Sequence, residues 1–121
     1  MKNSFIVGHE ELEKDFGYFP SFHDDYIEKI EINNKEVIVT IETVCPPKGM
    51  TSYPKIKLIF GEIISFNLNG EIYGCVSIIL DMIFNLNEDY IETELWSSLE
   101  TSGTIKSKTI RVEVESDNHD I

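Results

Sequence analysis

The segment from Ser21 to Asp25 carries the densest group of reactive side chains in the chain, with a hydroxyl, an imidazole and two carboxylates close together. In an extended chain, alternate residues share a face. His23 and Asp25 would then be placed to act as a base with its orienting carboxylate, or as two ligands of one metal ion. This spacing suggests acid-base or metal-dependent chemistry centred on His23, Asp24 and Asp25.

The remainder of the sequence offers little to complete such a site. The other histidines, His9 and His119, lie near the two ends of the chain, whereas a zinc site takes about four ligands in a tetrahedral array. No nucleophile elbow, phosphate-binding glycine loop or C-x-x-C pair occurs. We favour a structural role, in which His23 or Asp24 caps backbone donors where a helix joins a sheet. We therefore assign no catalytic residue, metal ligand or cofactor.

The spacing of the apolar residues predicts the elements that position this segment. Before it, apolar residues at helical spacing predict an amphipathic helix over residues 4–16, ending near Gly17. Pro20 lacks a backbone donor and disfavours helical geometry at Phe19, which predicts an extended connector. From Asp25 onward the apolar period is two, as expected for strands.

The first predicted strands form a hairpin around Asn33 and Asn34, a pair that suits a tight turn. A loop is predicted at residues 45–49, where two prolines and a glycine break the pattern. Alternating apolar residues then predict one strand over residues 55–60 and a separate strand over residues 63–68.

Further strands are predicted in the second half of the chain. Residues 72–85 are apolar on both parities, which favours a central strand covered on both sides; a buried helix is the competing interpretation. Residues 90–97 and 109–115 alternate as strands with one wet face. Glycine, serine and lysine punctuate the interval at residues 102–108, and residues 116–121 have the composition of a polar tail.

Together these elements predict a single domain over residues 1–121. Its fold class is α+β and β-rich, with an antiparallel sheet of about six or seven strands over residues 25–115 and one short N-terminal helix packed on it. Hydrophobic residues make up 41% of the chain and recur throughout the predicted sheet, which indicates a folded core.

The charge balance restricts the partners of the chain. The 22 acidic residues outnumber the 10 basic ones and give a formal net charge of −12. Such a molecule repels nucleic acid and anionic membrane surfaces. We expect a tight partner to be a basic protein. The alternative interpretation is that the acidic residues serve solubility alone.

The compartment is predicted from cysteine usage and from apolar runs. Cys45 and Cys75 are too few to suggest a disulfide framework, and neither lies in a C-x-x-C or metal-finger spacing. No signal-peptide apolar region follows the first residues, and the longest apolar stretch, at residues 76–80, is too short to span a bilayer. These observations predict a cytoplasmic protein that does not enter the membrane.

Acidic residues are placed regularly on the wet parity of the predicted strands. Two carboxylates at i and i+2 stand about 7 Å apart, within the Debye length of about 8 Å, so they repel each other and a basic partner would relieve the repulsion. We expect neighbouring strands to merge them into one negative, partner-binding surface, although a merely solvated face is the alternative. The candidate residues are Glu36, Glu42, Glu92, Glu94, Glu113 and Glu115.

The segment Phe16-Gly17-Tyr18-Phe19-Pro20-Ser21-Phe22-His23-Asp24 resembles the signature of the Immunity protein 50 family of bacterial polymorphic toxin systems. The resemblance implies a small α+β protein that binds and neutralises a toxin encoded beside it. Its motif residues, to which we assign a structural role in joining the helix to the sheet, are Phe16, Gly17, Pro20, Ser21, Phe22, His23 and Asp24.

Three functions therefore stand as hypotheses. The leading one is a stoichiometric inhibitor of a toxic effector, for example a basic nuclease whose nucleic-acid groove the carboxylates would occupy. The second is a small metal-dependent or acid-base enzyme centred on His23, Asp24 and Asp25. The third is a homo-oligomeric interaction module or homodimer, with Tyr90 and Trp96 near an exposed apolar patch.

Overall fold

The computed structural model describes residues 5–43, 55–69, 77–97 and 102–115. These residues form one helix and six strands, which confirms the predicted α+β, β-rich fold class. The elements are α1 (His9–Phe16), β1 (Tyr26–Ile32), β2 (Glu36–Glu42), β3 (Lys55–Asn69), β4 (Ser77–Leu86), β5 (Ile91–Ser97) and β6 (Ser102–Glu115).

All strand pairs are antiparallel, in the order β1-β2-β3-β6-β5-β4, and β4 returns to β1 so that the sheet closes into a small barrel. The long strands β3 and β6 pair with each other over almost their whole length, from Lys55 opposite Glu115 to Asn69 opposite Ser102. We call β1, β2 and the paired ends 55–61 of β3 and 109–115 of β6 the first half-sheet. The second half-sheet comprises β4, β5 and the other ends of β3 and β6.

The closure between β1 and β4 is short. Tyr26 and Ile27 pair with Ile78 and Ser77. Next to these pairs, the register of β1 with β2 shifts after Ile27, and the register of β4 with β5 shifts after Ile79. Among the described residues, none pairs with either edge farther along.

The core follows from the period of two, because one face of every strand turns inward. Val37, Val39 and Ile41 of β2 are buried as predicted, and so are Ile91 and Leu95 of β5. Partly buried phenylalanines from α1 and the connector pack against them. The other buried apolar residues of this cluster are Ile6, Leu12, Phe22, Ile27, Ile56, Leu58, Phe60, Ile79, Met82, Ile105, Ile110 and Val112.

The helix begins later than predicted, at His9 instead of residue 4. The cause is the segment before it, since Val7 forms a parallel bridge with Arg111 and is therefore extended. Gly8 follows with φ +93°, and a Cβ added there would lie 2.5 Å from the carbonyl oxygen of Val112. The helix ends at Gly17 as predicted, with the Gly17 N–H donating to the Glu13 carbonyl oxygen at 2.7 Å.

Three strand predictions need correction. Residues 63–68 are not a separate strand, because β3 continues through Glu62, at φ +51°, and through a register shift between Ile63 and Ser65. Residues 102–108 are not an interval, because both β3 and β5 pair with them within β6. Ile83 and its outward-facing neighbours in β4 are exposed, so this strand is covered on one side only.

Some predictions fall outside the described residues. These are the loop at residues 45–49, the first part of the apolar segment at 72–85, the tail at 116–121 and both cysteines. In the described parts of the chain, no helix has the length and apolar character that a membrane crossing requires.

Candidate functional site

The motif segment joins the connector to β4 through its backbone. Phe22 and Asp24 both adopt positive φ, at +65° and +73°, so the chain turns sharply at His23. The Asp24 N–H donates to the Ile79 carbonyl oxygen, and the Ile79 N–H donates to the Asp25 carbonyl oxygen, both at 2.8 Å. These two bonds hold the end of the connector against the start of β4.

This turn contradicts the extended chain that we assumed for His23 and Asp25. The His23 side chain is 60% exposed and its Nε2 lies 3.5 Å from Oδ1 of Asp24, which is 66% exposed. The His23 N–H donates to the Ser21 hydroxyl at 3.2 Å, whereas Asp25 is buried. Within the described ranges, no group of three or more His, Cys, Asp or Glu residues could hold a metal ion.

The aromatic residues of the motif are anchors. Phe22 is 1% exposed and lies in the core. The Phe19 ring meets both Phe22 and Phe84 edge to face, with ring centroids 6.1 and 6.2 Å apart, the favoured geometry for such pairs. Phe16 packs against the same core from the end of α1. The motif therefore connects helix, core and β4.

A cleft of about 460 Å³ lies beside this junction, between the connector and residues 81–85 of β4. Its volume falls within the range of about 300–1,000 Å³ that is usual for ligand pockets. The cleft is open to solvent along the strand. It is lined by Phe19, Pro20, Ser21, Asp81, Met82, Ile83, Phe84 and Asn85.

The outer face of the first half-sheet is largely neutralised by ion pairs. The shortest joins Lys55 to Glu28 at 2.8 Å. Lys57 pairs with Glu115 at 3.0 Å, which lowers the pKa of the Glu115 carboxyl and raises the pKa of the Lys57 ammonium through their hydrogen bond and mutual attraction. The others are Arg111 with Glu113 at 3.2 Å and Lys29 with Glu31 at 3.8 Å.

The hairpin of β4 and β5, residues 77–97, is not neutralised by ion pairs among the described residues. We call it the acidic hairpin. It contains no Lys or Arg, and no ion pair within the described residues involves its carboxylates. Lys106 of β6 lies opposite Glu92, with its ammonium 5.5 Å from the centre of the Tyr90 ring. The acidic residues of the hairpin are Asp81, Glu88, Asp89, Glu92 and Glu94.

The acidic hairpin also exposes apolar side chains. Trp96 is 53% exposed and lies beside Asp81 in the register, on the outer face. Ile83 lies opposite Glu94 on that face, and Leu86 is exposed at the end of β4. Large apolar side chains among unpaired charges are typical of surfaces that bind other proteins.

The predicted single acidic surface is therefore divided. Glu92 of β5 lies opposite Lys106 of β6. Glu113 follows Lys106 by seven positions in β6, which separates these two residues by about 23 Å at about 3.3 Å per residue. Glu36 and Glu42 lie at the two ends of β2. Of the six candidate acids, only Glu92 and Glu94 lie two positions apart on a strand that has no basic residue.

Sequence reasoning overlooked Asp81, Glu88 and Asp89 as parts of this surface. A usable signal was present, because no Lys, Arg or His occurs between Lys57 and Lys106. Counting acids on each strand separately hid this segregation of charge.

Comparisons with known proteins found no family model that matches the chain, no similar curated protein and no similar solved structure. The resemblance of residues 16–24 to the Immunity protein 50 family stays a prediction.

Proposed function

We propose that this chain is an immunity protein, which binds a bacterial toxin as a stoichiometric inhibitor and meets a basic surface of that toxin with the acidic hairpin. The observation that carries the proposal is the combination of unpaired carboxylates with exposed Trp96, Ile83 and Leu86. Tryptophan is enriched among the residues that dominate binding energy at protein interfaces. The proposal includes a cytoplasmic location, which the sparse cysteines favour.

Electrostatics favour the acidic hairpin over the first half-sheet. Carboxylates such as Glu113 already interact with a basic side chain, so their field is partly cancelled and a partner would have to compete with Arg111. Glu92 and Glu94 have no ion-pair partner among the described residues, so their field extends into solvent. Complementary fields of this kind raise association rates by about one to three orders of magnitude.

The motif supports a binding protein more than an enzyme. Phe22 serves the core, and the backbones of Asp24 and Asp25 hold β4. These roles account for the residues without a reaction, so we propose that the chain has no catalytic activity. The hypothesis of an enzyme centred on His23 receives no specific support from the geometry.

A pair of matched double variants tests the proposal. Glu92→Gln/Glu94→Gln and Glu113→Gln/Glu115→Gln remove the same charge from outward-facing i, i+2 positions, the first from the acidic hairpin and the second from neutralised pairs. Each variant is mixed with the purified product of the neighbouring gene, and association rates are measured over a range of salt concentrations.

The hairpin variant should associate more slowly at low salt, by up to about tenfold, and the control variant by much less. Added salt should slow the unmodified protein and narrow the difference. Equal effects of the two variants, or association that is insensitive to salt, would reject the role of the acidic hairpin. Failure of the two proteins to bind at all would reject the immunity function itself.

A further inference from the structure

The outer edge of β4 presents backbone groups that bond to no described residue. At the hairpin turn, the Asn87 N–H donates to the Tyr90 carbonyl oxygen at 2.8 Å, so these two residues form a hydrogen-bonded pair. Farther along β4 and β5, hydrogen-bonded pairs alternate with pairs that are not hydrogen-bonded. Asn85, opposite Glu92, and Ile83, opposite Glu94, therefore exchange hydrogen bonds with β5. The N–H and C=O groups of the intervening residues, Met82, Phe84 and Leu86, point the other way, toward the open edge.

The irregularity after Ile79 separates this edge from the closed part of the barrel. The N–H and C=O groups of Ile79 bond to Asp25 and Asp24, so up to this residue the edge is satisfied. After the register shift, none of the described residues pairs with the edge. Unpaired strand edges are the usual template for an added strand.

The cleft provides space beside this edge. It runs along residues 81–85 and is bounded on its other side by Phe19, Pro20 and Ser21. The groups that line it alternate in character along β4. Met82 and Phe84 have the inward parity, while Asp81, Ile83 and Asn85 have the outward parity.

Charge decides between a second copy of this chain and another protein as the occupant. Two copies paired through their β4 edges would bring two acidic hairpins together, each without a basic residue, and like charges at an interface cost several kcal/mol. A basic segment would instead be attracted by Asp81 and Glu94.

We propose that an extended, basic segment of the partner protein binds in the cleft as an added strand on the edge of β4. This inference rests on the proposed function for its basic partner and adds the mode of binding. Alternate side chains of the segment face Phe84 and Phe19 and are apolar. The others face outward, beside Asp81, and are lysine or arginine. The main-chain bonds form with Met82, Phe84 and Leu86.

Hydrogen exchange of the free protein, followed residue by residue by NMR, tests whether the edge is open. The amides of Ile83 and Asn85, bonded to β5, should exchange slowly, and those of Met82, Phe84 and Leu86 much faster. Equal protection of both sets without a partner would mean that another part of the chain, or a second copy, occupies the edge. That result would overturn the inference.

Binding is tested with a blocked octapeptide in which lysine and valine alternate. At low salt it should protect the amides of Met82, Phe84 and Leu86. Leu86→Pro removes one donor at an exposed strand end, where proline is tolerated, and should weaken binding about five- to tenfold, as expected for one backbone hydrogen bond. Circular dichroism and melting temperature verify that the variant is folded.

Ile32→Pro is the matched control. Ile32 ends β1 just before its turn, as Leu86 ends β4, and the two are 54% and 60% exposed. The Asn33 N–H donates to the Glu36 carbonyl oxygen, so the N–H of Ile32 also points away from its neighbouring strand, toward an edge with which no described residue pairs. Ile32→Pro should bind the octapeptide like the unmodified protein.

The outcomes separate this inference from the proposed function. If the octapeptide binds but perturbs only outward side chains such as Trp96, with the edge amides unprotected, strand addition is wrong and the acidic binding surface stands. Equal loss of binding in both proline variants, or no binding of the octapeptide at low salt, also overturns strand addition. The association rates of the Glu92→Gln/Glu94→Gln variant then decide the proposed function independently.

Discussion

Replacement of Phe22 by alanine measures how far the motif serves the fold. The Phe22 side chain is 1% exposed and is among the largest fully buried side chains. Truncation of a buried phenylalanine costs about 3–5 kcal/mol, and this range includes the cavity that it leaves. The edge-to-face contact with Phe19 contributes about 0.5–1.5 kcal/mol of such a loss. We therefore expect Phe22→Ala to lower the free energy of unfolding by about 4 kcal/mol.

Urea denaturation followed by tryptophan fluorescence provides the assay. A domain of this size has a total stability of roughly 6–18 kcal/mol, so the variant should remain folded in water. With a denaturant slope of about 2 kcal/mol/M, the midpoint should fall by about 2 M. The matched control is the neighbouring His23→Gln, whose exposed side chain predicts a change within about 0.5 kcal/mol.

Two results would refute this reasoning. If Phe22→Ala changes the midpoint no more than His23→Gln does, the motif does not hold the core together. If His23→Gln leaves stability unchanged but abolishes partner binding, the motif contacts the partner directly, and the assignment of binding to the acidic hairpin alone is wrong.

Two further predictions follow from the backbone and from ion pairs. Gly8→Ala should destabilise the protein by about 2 kcal/mol or more, because the added Cβ would lie against the Val112 carbonyl oxygen. Gly17→Ala, also at positive φ but in open space, should cost only about 1 kcal/mol. Equal melting temperatures for the two variants would contradict a role for the contact with Val112. Glu115→Gln should melt below the unmodified protein at neutral pH. The pKa of Glu115 is lowered from 4.5 in the folded state by Lys57, so this stabilisation is complete above pH 4.5 and is lost as the pH falls through the folded value; a difference in melting temperature that persists in acid would disprove the pair's contribution.

Local patterns were sufficient to predict the elements whose formation depends on near neighbours. The turn at Asn33 was predicted, and its Oδ1 accepts hydrogen bonds from the N–H groups of Lys35 and Glu36, both at 2.9 Å. The inward face of β2 was predicted because alternation alone decides it. The end of α1 at Gly17 was predicted because a left-handed C-cap is a local requirement.

The features that were mispredicted depend on distant parts of the chain. Val7 is extended because Arg111 lies beside it, and no local pattern encodes that contact. β3 continues past Glu62 because β6 pairs with both of its ends. The acidic residues were wrongly merged into one surface for the same reason. Only the pairing of β3 with β6 brings Glu115 within 3.0 Å of Lys57, whereas Glu94 lies between Ile83 and Thr104.

The position of β6 in the barrel has a consequence for biosynthesis. β6 is the last described strand in the chain, yet it lies between β3 and β5 and also receives Val7. Until the ribosome has released residues 102–115, β3 and β5 lack the strand that pairs between them. Val7 also cannot form its bridge before then, because its partner Arg111 lies more than a hundred residues later in the chain. Pairing over such a sequence separation is slow. We expect the nascent chain to form only its hairpins during translation and to close the barrel afterwards. Until the barrel closes, the unpaired strand edges make the chain prone to aggregate.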